Sequence, residues 1–387
     1  MFRKCAMLVL LSGVLGSSWA QAADITLKLR YRGETRQFEN LTPRSSPVCT
    51  QLPQLCGDPL QDLLDVGVEY SKTVDGEGAD GFYLSAPVQP TTLLMVRDQT
   101  GEQVSMDFAI THQGGAVTSD DGAPTLAART GLDSSGCQVA LASAAHRLFL
   151  WSPASNGCWA NVNAANASTY HVSHLTLGYR LKTPLPASLK SGVYRGRVVY
   201  SIGPDRDISL GSSRTVSGLT DDSVAINVEL EVVHDLEVRF EPGSEQVALV
   251  PRHAQGHGSR GRGATDKLEK DVTFSLTASG PFNVWALCST GLGSTCNLRS
   301  AKGHDIPLYL AMTLPGVSYH GRSLYRQAMS FGGAENAMSL EVPAEGVTGS
   351  QGQLHFHVYP RGHTQEQDML PGIEYHAVVT MVFDANL

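Results

Sequence analysis

Asp222-Ser-Val-Ala-Ile-Asn-Val-Glu-Leu-Glu-Val-Val233 puts Val224, Ile226, Val228, Leu230 and Val232 on one face at period two, and Ala225, Asn227, Glu229 and Glu231 on the other. Such alternation marks a β-strand with one buried face. Shorter runs of the same kind occur at 25–31, 93–96, 104–110, 198–202, 236–240, 272–276, 306–312 and 354–359, separated by clusters of Gly, Pro, Ser, Asn and Asp that close turns. Helical periodicity is scarce: 61–70 reads as a short helix, and 141–150 is ambiguous. Many short strands with frequent turns predict an all-β protein built from antiparallel sandwiches of immunoglobulin-like type. Two polar, glycine-rich stretches, 114–124 and 252–267, are expected as exterior loops.

The chain has 387 residues, 42% hydrophobic and 17% charged, with 39 Gly and 19 Pro, which argues against a coiled coil or a disordered polymer. Its 29 Lys and Arg against 37 Asp and Glu give a net charge of −8, the wrong sign for a phosphate-neutralising surface, so no nucleic acid is expected as partner. Residues 1–22 read as an export signal: Arg3 and Lys4, then an apolar stretch from Ala6 to Leu15, then Ala20-Gln21-Ala22 as a small-x-small cleavage site. Removing these 22 residues leaves 365 and takes the charge from −8 to −10. At about 150 residues per domain, two domains are expected. No later segment reaches the ~20 consecutive apolar residues that cross a bilayer.

Cys5 leaves with the signal, and the other six cysteines fall in close couples: Cys49/Cys56, Cys137/Cys158 and Cys288/Cys296. In an exported chain, an even count points to disulfides, with neighbour pairing expected among the possible connectivities. No couple has the gap of about two to four residues found in a zinc knuckle, so no metal is expected there.

The long strand ends near His234-Asp235, and a new alternating segment begins at once, which places a domain boundary there. A faint internal echo connects the two halves. Ser191-Gly192-Val-Tyr194-Arg-Gly-Arg-Val198-Val-Tyr200 is matched by Pro371-Gly372-Ile-Glu-Tyr375-His-Ala-Val378-Val-Thr-Met381. In the first half this strand is followed by 222–233, whereas in the second half the sequence stops at Leu387. The second sandwich is therefore expected to lack its last strand. The alternative is a sheet completed by strands in another order. A missing strand leaves core side chains in a groove flanked by unpaired backbone, which calls for a partner.

With these features in place, the chain resembles the two-domain tip adhesins of class-five (alpha-type) fimbriae, including cable-pilus initiator subunits of the alternate chaperone/usher pathway. The resemblance rests on the signal, the Cys49/Cys56 couple, Gly136-Cys137…Asn156-Gly157-Cys158, the run from Gly192 to Leu230, and the terminal Pro371-Gly372…Val379-Thr-Met-Val-Phe383. It implies a signal peptide at 1–22, an adhesin domain at 23–233 and a pilin domain at 235–387. The pilin domain would be an incomplete immunoglobulin fold, completed by a donor strand from a periplasmic chaperone and then from a major pilin subunit, with an outer-membrane usher assembling the fibre. The implied location is the fimbrial tip at the cell surface, reached through the periplasm. The groove is assigned to Val378, Thr380 and Val382. The segment 25–31 alternates as a donor strand would, but no flexible polar joint follows it, so it is read as the first strand of the adhesin domain.

Receptor binding in such adhesins uses an exposed cationic surface; the receptor-binding candidates here are Arg206, Arg214, Arg195 and Arg197, with a surface receptor of glycan type. Arginine grips anionic groups through two hydrogen bonds. Asp205 and Asp207 flank Arg206 and would oppose that role. Trp151 and Trp159 are read as core beside a disulfide. His253/His257 and His355/His357 lack a recognisable ligand set, and neither metal nor cofactor is expected. No Gly-x-Ser-x-Gly, phosphate-loop or His-Glu-x-x-His motif occurs, so the protein is read as non-enzymatic. The alternatives are a minor structural pilin and an exported β-sandwich carbohydrate-active enzyme.

Overall fold

The alternating segments form strands throughout. In the computed structural model, the residues described are 23–43, 46–120, 126, 128–129, 137–160, 168–251, 267–291, 293–360 and 368–385; the signal segment and residues 252–266 lie outside them. Every regular element among the described residues is a β-strand or a short 3-10 turn.

Ser223–Val233 sits inside the first sandwich's large sheet. Gly192–Gly203 runs antiparallel on one side, and Ala23–Arg32 runs parallel on the other, in register from Ala23↔Val224 to Arg32↔Val233. The segment 25–31 is thus the first strand, with Leu27, Leu29 and Tyr31 in the core. Beyond Gly192–Gly203 the sheet continues through Thr91–Arg97, Gln103–Ser119, Ser168–Lys182 and Tyr70–Val74. Thr91–Arg97 and Gly192–Gly203 share only two registered pairs, so the sheet turns a corner there. Its halves then face one another across one core, where Phe108 stacks on Tyr179 and meets Tyr200.

Three local expectations are corrected. Residues 61–70 are not helical: Gln61–Asp65 and Tyr70–Val74 are strands. Leu63 packs into a small side core while Leu64, Val66 and Val68 enter the main one, so burial on both faces imitates helical spacing. Residues 141–150 fold into a hairpin, Val139–Ser143 with Leu148–Trp151. Residues 114–119 are not a loop but the end of Gln103–Ser119. A Cβ on Gly114 would stand 2.1 Å from the Phe149 carbonyl oxygen; the glycine admits the neighbouring strand instead of closing a turn.

The second sandwich sets an eight-stranded sheet against a three-stranded one. The large sheet runs Leu236–Phe240, Leu268–Ala278, Val347–Val358, Asp305–Tyr319, Cys296–Ser300, Tyr375–His376, with Val250–Pro251 and Arg322–Met329 attached. The small sheet is Met338–Leu340, Phe282–Cys288 and Val379–Asp384. Leu236–Phe240 and Val250–Pro251 share one edge of Leu268–Ala278, so the large sheet is at most six strands wide; at about 4.8 Å per strand, three strands do not roof it. Disulfides join Cys49 to Cys56, Cys137 to Cys158 and Cys288 to Cys296. The last ties the small sheet's central strand to the large sheet.

Only His234 and Asp235 separate the last strand of the first sandwich from the first strand of the second. The His234 ring is buried and bridges the two: Nε2 donates to the Leu189 carbonyl (2.6 Å), and Nδ1 faces the Ser279 hydroxyl (3.3 Å), which accepts the Asp235 N–H (2.8 Å). Arg36 adds a bond to Thr348 (2.8 Å).

Candidate functional site: an open cleft in the second sandwich

Val379–Asp384 pairs antiparallel with Phe282–Cys288 along one edge, and its other edge pairs with nothing among the described residues. Across from that edge, Leu236–Phe240 follows Leu268–Ala278 as far as Phe240↔Phe274, then leaves the sheet. Pro242 and Gly243 (φ +86°) turn the chain outward, and Ser244 N–H bonds the Glu241 carbonyl at 3.2 Å. The chain rejoins at Val250–Pro251. Between the two walls lies a cleft of about 1040 Å³.

Its floor is the core face of the large sheet, including Val272, Leu308, Leu354, Phe356 and Val358. At one end Phe240 lines the cleft, and it belongs to a cluster of three rings in which Phe274 lies 5.5 Å from Phe240 and 5.7 Å from Phe383 between centroids. Val378, at 67% exposure, stands on the rim as an apolar side chain in water. The lining contains Glu241 and Glu245 but no Lys or Arg. Apolar floor, unpaired backbone edge and exposed valine together make a seat for an extended chain.

Val378 and Thr380 border this cleft, and Val382 does not. The residues that pack on the core are those of the other parity: Ala377, Val379, Met381 and Phe383. A strand apolar on both faces does not declare its phase, and a one-residue shift exchanges the faces; Phe383, locked between Phe240 and Phe274, sets it here.

The four arginines do not converge. Arg195 is paired with Asp98 and Glu229, and Arg214 with Asp80. Arg195 and Arg197 share a shallow depression of about 460 Å³ on the outer face of the sheet, beside Thr26, Asn227 and Glu229. Arg206 lies in the turn between Gly192–Gly203 and Ile208–Ser209 and forms no ion pair among the described residues. Its neighbour Asp207 accepts from the Ser201 N–H and hydroxyl, which holds that carboxyl below the usual range.

Trp151 is fully buried and donates to the Leu126 carbonyl, and Trp159 is half-buried. His253 and His257 lie outside the described residues. His355 has both ring nitrogens engaged, by Asp271 (2.7 Å) and Thr313 (2.8 Å), and so has none left for a metal. The Thr313 hydroxyl also accepts the Arg326 N–H at 2.9 Å, so this Asp-His-Thr series is a closed hydrogen-bond chain bracing three strands. Cys49, Cys56 and Asp62 lie together, but both cysteines are oxidised.

Lys72 escaped the sequence reading. It is buried, and Nζ donates to the Ala79 and Leu210 carbonyls and the Thr215 hydroxyl (2.7, 3.0 and 2.6 Å). Burial pushes its pKa down to about 8, against the pull of Asp80 and Asp75. The available signal was a lysine between Tyr70 and Val74 on the inward parity of a strand.

No protein-family model and no curated protein matches the chain. Among solved structures it is similar to CfaE, the adhesive subunit of the CFA/I fimbria of enterotoxigenic Escherichia coli, with 9% identity over 94% of this chain and 92% of that one at a TM-score of 0.30. It is also similar to a chaperone-tip adhesin complex of CFA/I fimbriae (11% identity, 94% and 96% covered, TM-score 0.28). A third is the CsuC-CsuE chaperone-tip adhesion subunit pre-assembly complex from archaic chaperone-usher Csu pili of Acinetobacter baumannii (8% identity, 94% and 99% covered, TM-score 0.20).

Proposed function

We propose that this protein is a fimbrial tip adhesin and assembly initiator. Its first sandwich, 23–233, binds a surface receptor, and its second, 235–387, joins the fibre by accepting a strand from a periplasmic chaperone and then from the next subunit. The observation that carries this reading is the unpaired edge of Val379–Asp384 beside an apolar-floored cleft. Strand addition supplies main-chain bonds along the edge and alternate side chains to the floor. A position at the end of the fibre is supported by the first strand: Ala23–Arg32 is held along its length by Ser223–Val233, with Leu27, Leu29 and Tyr31 in its own core, and is not free to complete a neighbour. Within the first sandwich, the depression beside Arg195 and Arg197 is the receptor face we favour, because Arg197 forms neither a hydrogen bond nor an ion pair among the described residues.

The test is to purify the mature chain alone and with a donor strand tethered through a flexible linker after Leu387. The tethered form should be more soluble and melt at higher temperature, and a glycan screen of either form should retain anionic glycans. Equal solubility and equal melting temperature would refute the strand-acceptor role. Retention unchanged by Arg197→Ala would refute the receptor face.

A further inference from the structure

We propose that the joint between the two sandwiches is an acid-released latch: protonation of His234 frees the sandwiches to move about residues 234–235 while each stays folded. The ring sits in a slot made by both of them. Tyr31 of the first strand meets it edge to face, at 5.7 Å between centroids. Gly280 of the second sandwich lies over the ring, where a Cβ would come within 2.3 Å of three ring atoms. Gly33 is pressed as closely: a Cβ there would stand 2.1 Å from the Ser279 hydroxyl oxygen and 2.5 Å from the Asp235 nitrogen. His234 is 8% exposed and Ser279 4%, so the slot holds the ring away from water.

The hydrogen bonds through the slot run in one direction. The Leu189 carbonyl can only accept, so Nε2 carries the hydrogen, and Nδ1 is left to accept from the Ser279 hydroxyl, whose oxygen takes the Asp235 N–H. A second proton, on Nδ1, points at a hydroxyl that must then turn its own hydrogen away. It also places a full charge where burial already disfavours one. The charged and titratable groups around the ring do not offset that charge. Lys190, beside Leu189, turns to Glu102 at 3.5 Å. Arg36, on the turn after the first strand, bonds Thr348. The Tyr31 phenol is kept neutral by burial, which pushes its pKa up. Asp235 meets the slot through its N–H, and Ser279 and Gly280 do not titrate. Parting the sandwiches returns the imidazolium to water, and the exposed Arg36–Thr348 bond does not respond to this proton.

The test is single-molecule energy transfer on the mature chain, with dyes on Ser213→Cys and Gln327→Cys, exposed positions on the first and second sandwich. At pH 7.5 one population is expected. A second should grow as pH falls below about 6.5, its ratio to the first rising by at most about tenfold per pH unit because one proton is involved. His234→Gln, whose amide can donate to Leu189 and accept from Ser279 without titrating, should keep one population down to pH 5. Ser279→Ala should show the second population already at pH 7.5. Hydrogen exchange of the unlabelled native chain tests the same point without a variant: protection at 234–235 and 279 should fall in acid while that at 224–232 and 272–276 persists. A single population at every pH, or equal growth in His234→Gln, overturns the latch. So does acid loss of near-ultraviolet dichroism or of protection throughout, since the sandwiches would then be unfolding and not parting.

Discussion

Phe383→Ala is the sharpest probe of how the terminal strand faces its sandwich. The ring is half-buried and contacts Phe274 at 5.7 Å and Phe240 at 6.4 Å. Truncating a fully buried Phe costs about 3–5 kcal/mol; half that burial leaves about 2 kcal/mol, and the loss of two ring contacts, each about 0.5 kcal/mol at these longer separations, brings the total to about 3 kcal/mol. For a domain of roughly 150 residues this lowers the melting temperature by about 5–10 °C. Val382, the next residue back, points the other way; Val382→Ala should cost less than about 1 kcal/mol. Calorimetry of the mature chain, following the transition of the second sandwich, gives both numbers. A cycle with Phe240→Ala should return a coupling of about 0.5–1 kcal/mol. If Val382→Ala costs as much as Phe383→Ala, the inward parity of 377–383 is wrong, and with it the shape of the cleft.

Two further outcomes follow from buried titratable groups. Burial holds the His234 imidazole below the ordinary histidine pKa, against the pull of the Leu189 carbonyl. The unfolded chain therefore takes the proton first, and stability is lost as pH falls below about 6.5. Melting curves from pH 7.5 to 5 should show that loss shrinking in His234→Gln, and a slope identical in both chains would refute the assignment. Lys72 has its pKa depressed to about 8 in the folded chain. The unfolded chain binds more protons above that value, so this residue's contribution rises with pH from about 8 toward 10.5. Urea unfolding at pH 7.5 and 9.5 should show that gain in the native chain and not in Lys72→Met; an equal gain in both would show that Lys72 does not titrate there.

Legibility in the sequence followed the number of faces a segment buries. Val224, Ile226, Val228, Leu230 and Val232 read correctly because only one face of their strand meets the core, so polarity records the geometry. Leu63 and Leu64 enter different cores, as do Leu150 and Trp151, and apolar residues on both sides erase the period. The terminal strand failed for the same reason: Val378 and Val382 are as apolar as Val379 and Met381, and the phase is set by ring contacts with residues more than a hundred positions away. The acidic wall was not legible, because Glu241 and Glu245 acquire meaning only once the chain is seen to leave the sheet at Pro242.

The two-residue joint also decides how the first sandwich experiences tension. A pull on the second sandwich enters lengthwise through Val233 and runs up a strand clasped on both flanks, by Ala23–Arg32 in parallel and by Gly192–Gly203 in antiparallel. Because those bonds lie across the strand, the load stretches them all at once in shear, instead of peeling them one by one from an end, and the joint adds no slack in which the force could dissipate.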